Sequence, residues 1–501
     1  MNDHRTTAGA GSVDPADRYH RVRDASIRGA GAGFVAFVAQ TGLRIGSIAV
    51  LARLLTPDEF GVAAMATILL SLFTLVGDWG LTTAATQRVS VDADELSNLF
   101  WINTVVGFIL AGATVLCSPL LALLFGEPRV TGAAMLLSIT LIAIGCGAQH
   151  EAVLRRRLRY DLLQIVRVSS YVCGVSVGVG SALVGAGFWA LIWMHLTIQI
   201  ARTVLFWVLA RWHPGRPKRG TNVRSIVNFA TGLVPSRLIL YLSRNAAPIM
   251  LGAAAGTTDL GLYNRASTAV MTPVSSVLDP LERVIPSSLS RLQEDRVAFR
   301  RLFKQTMMIA AFGGCGILGL VVAEAPAFVG LLLGDQWLSA IPLVRWLALA
   351  GLAAVIGKAT GWILVPLGAA GKLVTVRLIR AGASVAGVIV GWQWGAAGIA
   401  AGYGVAALVS LVGEVVWATS GTPLRARALV EAAWRSVVCG LVAGSTVFLI
   451  RTELTLATLL LEVGLYCVLF IVGHALLPGG SLLMRTAREA VSVALSRQTA
   501  A

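Results

Sequence analysis

The sequence predicts an all-α integral membrane protein of about fourteen transmembrane helices, on three observations. Hydrophobic residues make up 56% of the chain and charged residues only 13%, with a mean hydropathy of +0.77, a balance that soluble globular chains do not show. The apolar residues form continuous runs of about 20, long enough to cross a bilayer as helices and without the alternation of a transmembrane β-barrel. The basic residues collect in alternate loops between these runs, as in multi-pass membrane proteins.

The elements follow in order. Residues 1–25 are polar and of mixed charge and read as a cytoplasmic tail without a cleavable signal. Apolar runs then occupy roughly 30–52, 60–82, 99–124, 130–149, 165–184, 187–210, 226–252, 260–282, 305–332, 341–367, 373–391, 394–417, 430–450 and 455–477. With the N-terminus inside, the inner segments carry Arg18, Arg21, Arg155, Arg156, Arg157, Arg216, Lys218, Arg296, Arg300 and Lys304, whereas the outer loops carry Arg53, Arg129 and Arg451. This bias places both termini in the cytoplasm. The stretch Glu151–Arg167 is basic and amphipathic and is expected at the membrane surface, as a cytoplasmic cap that obeys the charge bias in preference to a contact with anionic lipid head groups. The net charge of +16 arises from these loops, so nucleic acid is not an expected partner.

Catalytic and metal signatures are missing from the sequence. The six cysteines are widely spaced within or beside apolar runs and read as small core hydrophobes. The six histidines form no ligand-spaced cluster, and His195, in the sixth run, reads as a hydrogen-bonded interior residue in preference to a proton relay. Without a Walker motif, a nucleophile elbow or paired carboxylates, neither an enzyme nor a cofactor is expected.

An internal repeat organises the chain. Leu51–Val62 and Leu251–Leu262 align at an offset of 200 residues, with Glu59-Phe60-Gly61 over Asp259-Leu260-Gly261, and Arg44 over Arg244 upstream at the same offset. Each copy is an apolar helix with one buried Arg, a short acidic turn and a second apolar helix. In a membrane protein such duplication points to a transporter with its path between the halves.

The charges inside the apolar runs are the candidate site. An arginine near the bilayer centre costs about 2.5–3.5 kcal/mol on insertion scales and therefore faces a cavity or a partner. Arg44, Arg244 and Lys358 lie deep in their runs and Arg265 near the outer end of the eighth, beside Asn264. Forked arginine donors suit a phosphate or diphosphate. Asp78 and Asp279, at an offset of 201, and Glu282 are candidates for gating or ion coupling. Glu324 and Glu414 read as members of structural ion pairs, and Arg202, Arg377 and Arg380 as snorkelling residues near run ends. Pro235 and Pro248 interrupt the seventh run, and Pro273 and Pro280 the eighth, which favours kinks.

Four motifs carry a family resemblance: LARLLTPDEFGVAAMA (51–66) with GDWGL (77–81), EAVLRRRLRYDLL (151–163), LGLYNRA (260–266) and VIPSSLSRLQED (284–295). In order and spacing the chain resembles Wzx-type polysaccharide flippases, especially the colanic-acid exporter branch, within the multidrug/oligosaccharidyl-lipid/polysaccharide (MOP) superfamily. The resemblance covers roughly residues 30–420. It implies two six-helix bundles in a V (26–212 and 226–420, joined by a cytoplasmic linker at 213–225), then two extra helices (421–480) and a cytoplasmic tail (481–501). It also implies translocation of a polyprenyl-diphosphate-linked oligosaccharide across a bacterial cytoplasmic membrane for cell-surface polysaccharide synthesis.

The reading is therefore a flippase working by alternating access. Arg44, Arg244, Arg265, Asn264 and Lys358 bind the cargo, and Asp78, Asp279 and Glu282 gate or couple an ion, Na+ or H+. Expected partners are the lipid-linked cargo, membrane lipids, and the polymerase and glycosyltransferases of the pathway. The alternatives are a cation-coupled multidrug antiporter of the same superfamily, whose deep charges would be acidic, and a membrane polysaccharide polymerase or ligase, which would need a large outer loop.

Overall fold

The computed structural model describes residues 42–77, 92–218, 234–450 and 455–477. Among them lie fourteen long helices and no strand. The first half holds α1 (residues 42–54), α2 (Pro57–Gly77), α3 (Ala93–Phe125), α4 (Arg129–Arg156), α5 (Tyr160–Leu183) and α6 (Trp189–Ala210). The second holds α7 (Val234–Ala254), α8 (Gly256–Ser290), α9 (Arg296–Ala323), α10 (Ile341–Leu364), α11 (Ala370–Gly391) and α12 (Gly395–Thr419). α13 (Ala426–Ile450) packs on α9, and α14 (Leu456–Leu476) packs on α13. Ten described segments are long and apolar enough to cross a membrane.

Local chemistry sets the helix ends. Thr56 caps α2: its backbone N–H donates to Glu59 at 2.7 Å, and the Glu59 N–H donates back to the Thr56 hydroxyl at 3.4 Å, with Pro57 in the first helical position. Asp92 and Glu95 form the same box at α3, which ends on Gly126 at φ +63°. The Asp295 carboxylate accepts from the N–H groups of Val297 and Ala298 to start α9.

The basic stretch 151–167 caps two spanning helices. It forms the end of α4, a tight turn with Leu158 at φ +55°, and the start of α5. Its charges pair locally, Arg155 with Glu151 and Arg159 with Asp161. The prolines do not interrupt their runs, since Pro248 lies inside α7, and Pro273, Pro280 and Pro286 inside α8. Arg380 does not snorkel. It donates to Glu414, which is fully buried on α12, and Ser410 donates to the same carboxylate at 3.1 Å. Glu414 is thus a structural ion-pair partner, as the sequence suggested.

The two halves meet where the repeat copies turn their corners, and the contact is reciprocal. A Cβ on Gly61 would lie 1.8 Å from the Thr257 carbonyl oxygen, and one on Gly261 would lie 1.9 Å from that of Pro57. Pro57 meets Gly261 and Gly61 meets Thr257, so the repeat equivalents 57/257 and 61/261 exchange contacts and α2 and α8 cross about a local two-fold axis. Only glycine admits this approach of two backbones. Around the crossing, Thr257 donates to Asp58, and Arg129 bridges Asp58 at 2.9 Å and Glu127 at 2.8 Å. Phe125 packs on Gly252. The segment between α9 and α10 closes over the top, with the buried Trp337 donating from Nε1 to the Ala52 carbonyl at 2.8 Å and Gln336 to that of Leu55 at 3.1 Å. Deeper along α2, the buried Tyr241 hydroxyl donates to the Ile68 carbonyl at 2.6 Å.

Candidate functional site

Directly beneath this seam lies a cavity of about 430 Å³, lined by α1, α2, α5, α6 and α8. Its polar wall is Arg44, Ser47, Tyr171, His195, Asn264 and Arg265. No aspartate or glutamate appears among its described lining residues.

Each of these side chains is placed by the packing around it. Arg265 stands about 15 Å along α8 from the corner. Its guanidinium carbon lies 4.4 Å from the centre of the Phe60 ring, a cation–π contact. Phe60 is itself held edge-on by Trp337 at 5.3 Å, so the ring that orients Arg265 belongs to the seam. The Arg265 Nε is buried and has no hydrogen-bond partner among the described residues. Arg44 projects from α1 one turn from Ser47, whose hydroxyl donates to the Arg44 carbonyl and meets the Tyr171 hydroxyl, both at 2.9 Å. Thr268 donates to the Asn264 carbonyl at 2.8 Å, so its hydroxyl is satisfied within α8.

The structure thus brings three of the five predicted binding residues, Arg44, Asn264 and Arg265, to one cavity from opposite halves. It does not bring Lys358, which forms an ion pair with Glu282 between α10 and α8; neither residue lines the cavity. Two residues assigned separate roles from the sequence therefore neutralise each other. Asp279 is exposed on α8 outside the cavity lining. Arg244 lies on helical backbone in α7, but its side chain is outside the described part of the structure, and Asp78 lies outside the described residues altogether. Tyr171 and His195 are the lining residues that sequence reasoning missed. The signal for either was only a polar side chain inside an apolar run.

A second cavity, of about 610 Å³, lies between α9, α10 and α13. It is walled by Leu, Val, Ala and Gly, with Arg345 over the Phe448 ring at its edge. A single cation in an apolar groove does not make an anion site comparable to the first.

The geometry defines the class: an all-helical membrane protein with a cationic cavity lined by both of its halves. The same fold is found in an inward closed conformation of the lipid II flippase MurJ (TM-score 0.71, 10% identity, 89% of this chain and 98% of that one). It is also found in an inward-facing multidrug resistance MATE transporter of the MOP superfamily (TM-score 0.58, 15% identity, 78% and 96%). Residues 50–342 match the model of the polysaccharide biosynthesis protein family, and the chain belongs to that family. It is 25% identical over 390 residues to the lipopolysaccharide biosynthesis protein WzxC of Escherichia coli K12, covering 76% of this chain and 78% of the relative. The chain is a multi-pass membrane protein of the polysaccharide biosynthesis family.

Proposed function

We propose that this protein flips a polyprenyl-diphosphate-linked oligosaccharide across the cytoplasmic membrane by alternating access. The observation that carries the reading is the cavity holding Arg44 from one half and Arg265 from the other, with no carboxylate in its described lining. A diphosphate esterified at both ends bears two negative charges and meets two guanidinium groups, each able to donate a forked pair of hydrogen bonds. The lipid tail remains in the bilayer. In the topology given by the basic loops, the sealed seam faces outward and the cargo enters from the cytoplasmic side. A cation antiporter is disfavoured by the same cavity, whose described lining offers a cation no counter-charge.

The test is binding of undecaprenyl diphosphate bearing one hexose to the purified protein, alongside surface-polymer export in cells. Arg44→Ala and Arg265→Ala are expected to weaken binding at least tenfold each and to abolish export while the protein still inserts. Wild-type affinity and export in both variants would overturn the assignment. Arg244→Ala, run in parallel, determines whether the repeat-equivalent arginine shares the load.

A further inference from the structure

His195 lines the same cavity as Arg44 and Arg265, and its bonding constrains its chemistry. Its Nδ1 lies 2.8 Å from the carbonyl oxygen of Leu191, one turn back on α6. A carbonyl oxygen can only accept, so Nδ1 carries the hydrogen. The ring is exposed, and Nε2 makes no hydrogen bond among the described residues. The neutral ring therefore turns a bare lone pair to the cavity. That edge repels the oxygens of an anion. Protonated at Nε2, the same edge donates a charge-assisted hydrogen bond to them.

The groups around it leave few alternatives for a proton. Arg44 faces the cavity from α1, Tyr171 from α5 and Arg265 from α8, while α2 contributes Phe60, Ala63, Ala64 and Thr67. No carboxylate in the described lining competes, and a diphosphate esterified at both ends has no titration of its own near neutral pH.

We infer that His195 is a third ligand of the diphosphate, and that one proton enters the cavity on His195 Nε2 as the cargo binds. This rests on the flippase reading and deepens it, because it names the proton as an ion linked to loading. Linkage makes the effect reciprocal: the anion favours the imidazolium, and the imidazolium favours the anion. Affinity is then greatest at acid pH and falls as pH rises, by at most about tenfold per pH unit for one proton.

The experiment uses the full chain in detergent and undecaprenyl diphosphate bearing one hexose as the probe. Affinity is measured between about pH 5.5 and 8.5, the range in which imidazole titrates. Proton uptake on mixing is followed with an indicator dye in weak buffer. The wild type is expected to lose affinity with rising pH and to take up as much as one proton per probe bound. His195→Gln, whose amide reaches the same space but does not titrate, is expected to bind with a flat profile and no uptake. His195→Asn serves as a second variant should the first not accumulate. A flat wild-type profile without uptake, or a wild-type slope in either variant, overturns the inference. If binding is flat with pH yet lost in Arg44→Ala, the flippase reading stands and only the role of His195 falls. If the wild type binds no probe at any pH, both fall.

Discussion

Substituting Gly61 by alanine places a methyl group where α2 crosses α8. The added carbon would lie 1.8 Å from the Thr257 carbonyl oxygen and 2.4 Å from its carbon. Ordinary contact begins near 3.4 Å, so the helices must part by about 1.5 Å, and the obstacle is backbone that cannot rotate aside. Overpacking of this kind costs about 1–3 kcal/mol. If the crossing exists only while the seam is shut, that cost falls on the shut state alone and shifts the shut-to-open ratio by a factor of about 5–150. A cysteine-free protein carrying Ser47→Cys reports the change, since Ser47 is buried on the cavity wall beneath the seam. In intact cells a membrane-impermeant maleimide should label the thiol introduced by Ser47→Cys faster when Gly61→Ala is added, by a factor within that range. Gly261→Ala should match it, because its added carbon meets Pro57 as closely. Equal labelling rates in parent and variant, with full labelling of both after detergent extraction, would refute the claim that the glycine crossing is the seal.

Tyr241→Phe removes the 2.6 Å bond to Ile68 across the halves and should speed the same labelling about fivefold, the equivalent of roughly 1 kcal/mol; no change would mean that this bond persists in the open state. Arg380→Ala leaves Glu414 fully buried with its cation gone and should cost about 3 kcal/mol, read as a lower thermal midpoint in detergent, whereas Arg380→Met with Glu414→Leu should recover most of it. Glu127 lies between α3 and α4, and the hydrogen bond from Arg129 holds its carboxyl below the usual value. A depressed carboxyl stabilises above its unfolded value and loses that contribution as pH falls through the folded one. The thermal midpoint in detergent should therefore hold steady near neutrality and fall below about pH 4.5, and Glu127→Gln should flatten the acid limb.

The sequence carried the scaffold clearly because membrane spans are written in hydropathy and their direction in loop charge. It also carried the corner, since Thr-Pro-Asp-Glu is a capping signal, and the echo at 259–261 marked its partner. The rotation of each helix about its own axis was hidden. A helix that is apolar all round shows no stripe to say which face turns inward. For that reason His195 and Tyr171 could not be assigned to the cavity, and Lys358 could not be assigned to Glu282, 76 residues away. The basic run at 151–167 was legible as a cap, because local ion pairs let charged residues sit on the ends of spanning helices.

The repeat and the site obey different symmetries, and this difference bears on mechanism. At the seam the halves are equivalent: Gly61 and Gly261 exchange the same contact, as a rocking joint between two copies of one unit requires. In the cavity they are not. The repeat partner of Arg265 is Met65, fully buried in the core, while Arg44 has Arg244 as its own equivalent. The cationic site therefore takes one member from each half at non-equivalent positions and sits against the first half, under α1, α2, α5 and α6. A site on the symmetry axis would be presented alike to both sides of the membrane. One displaced into a single lobe, with Arg265 stacked on Phe60 and Phe60 held by Trp337 of the seal, loses its orienting ring contacts when the seam parts. On the flippase reading, opening the seam therefore also loosens the hold on the anion, while net direction comes from a gradient of cargo or coupled ion, because a ligand shifts the two states only by its differential affinity for them.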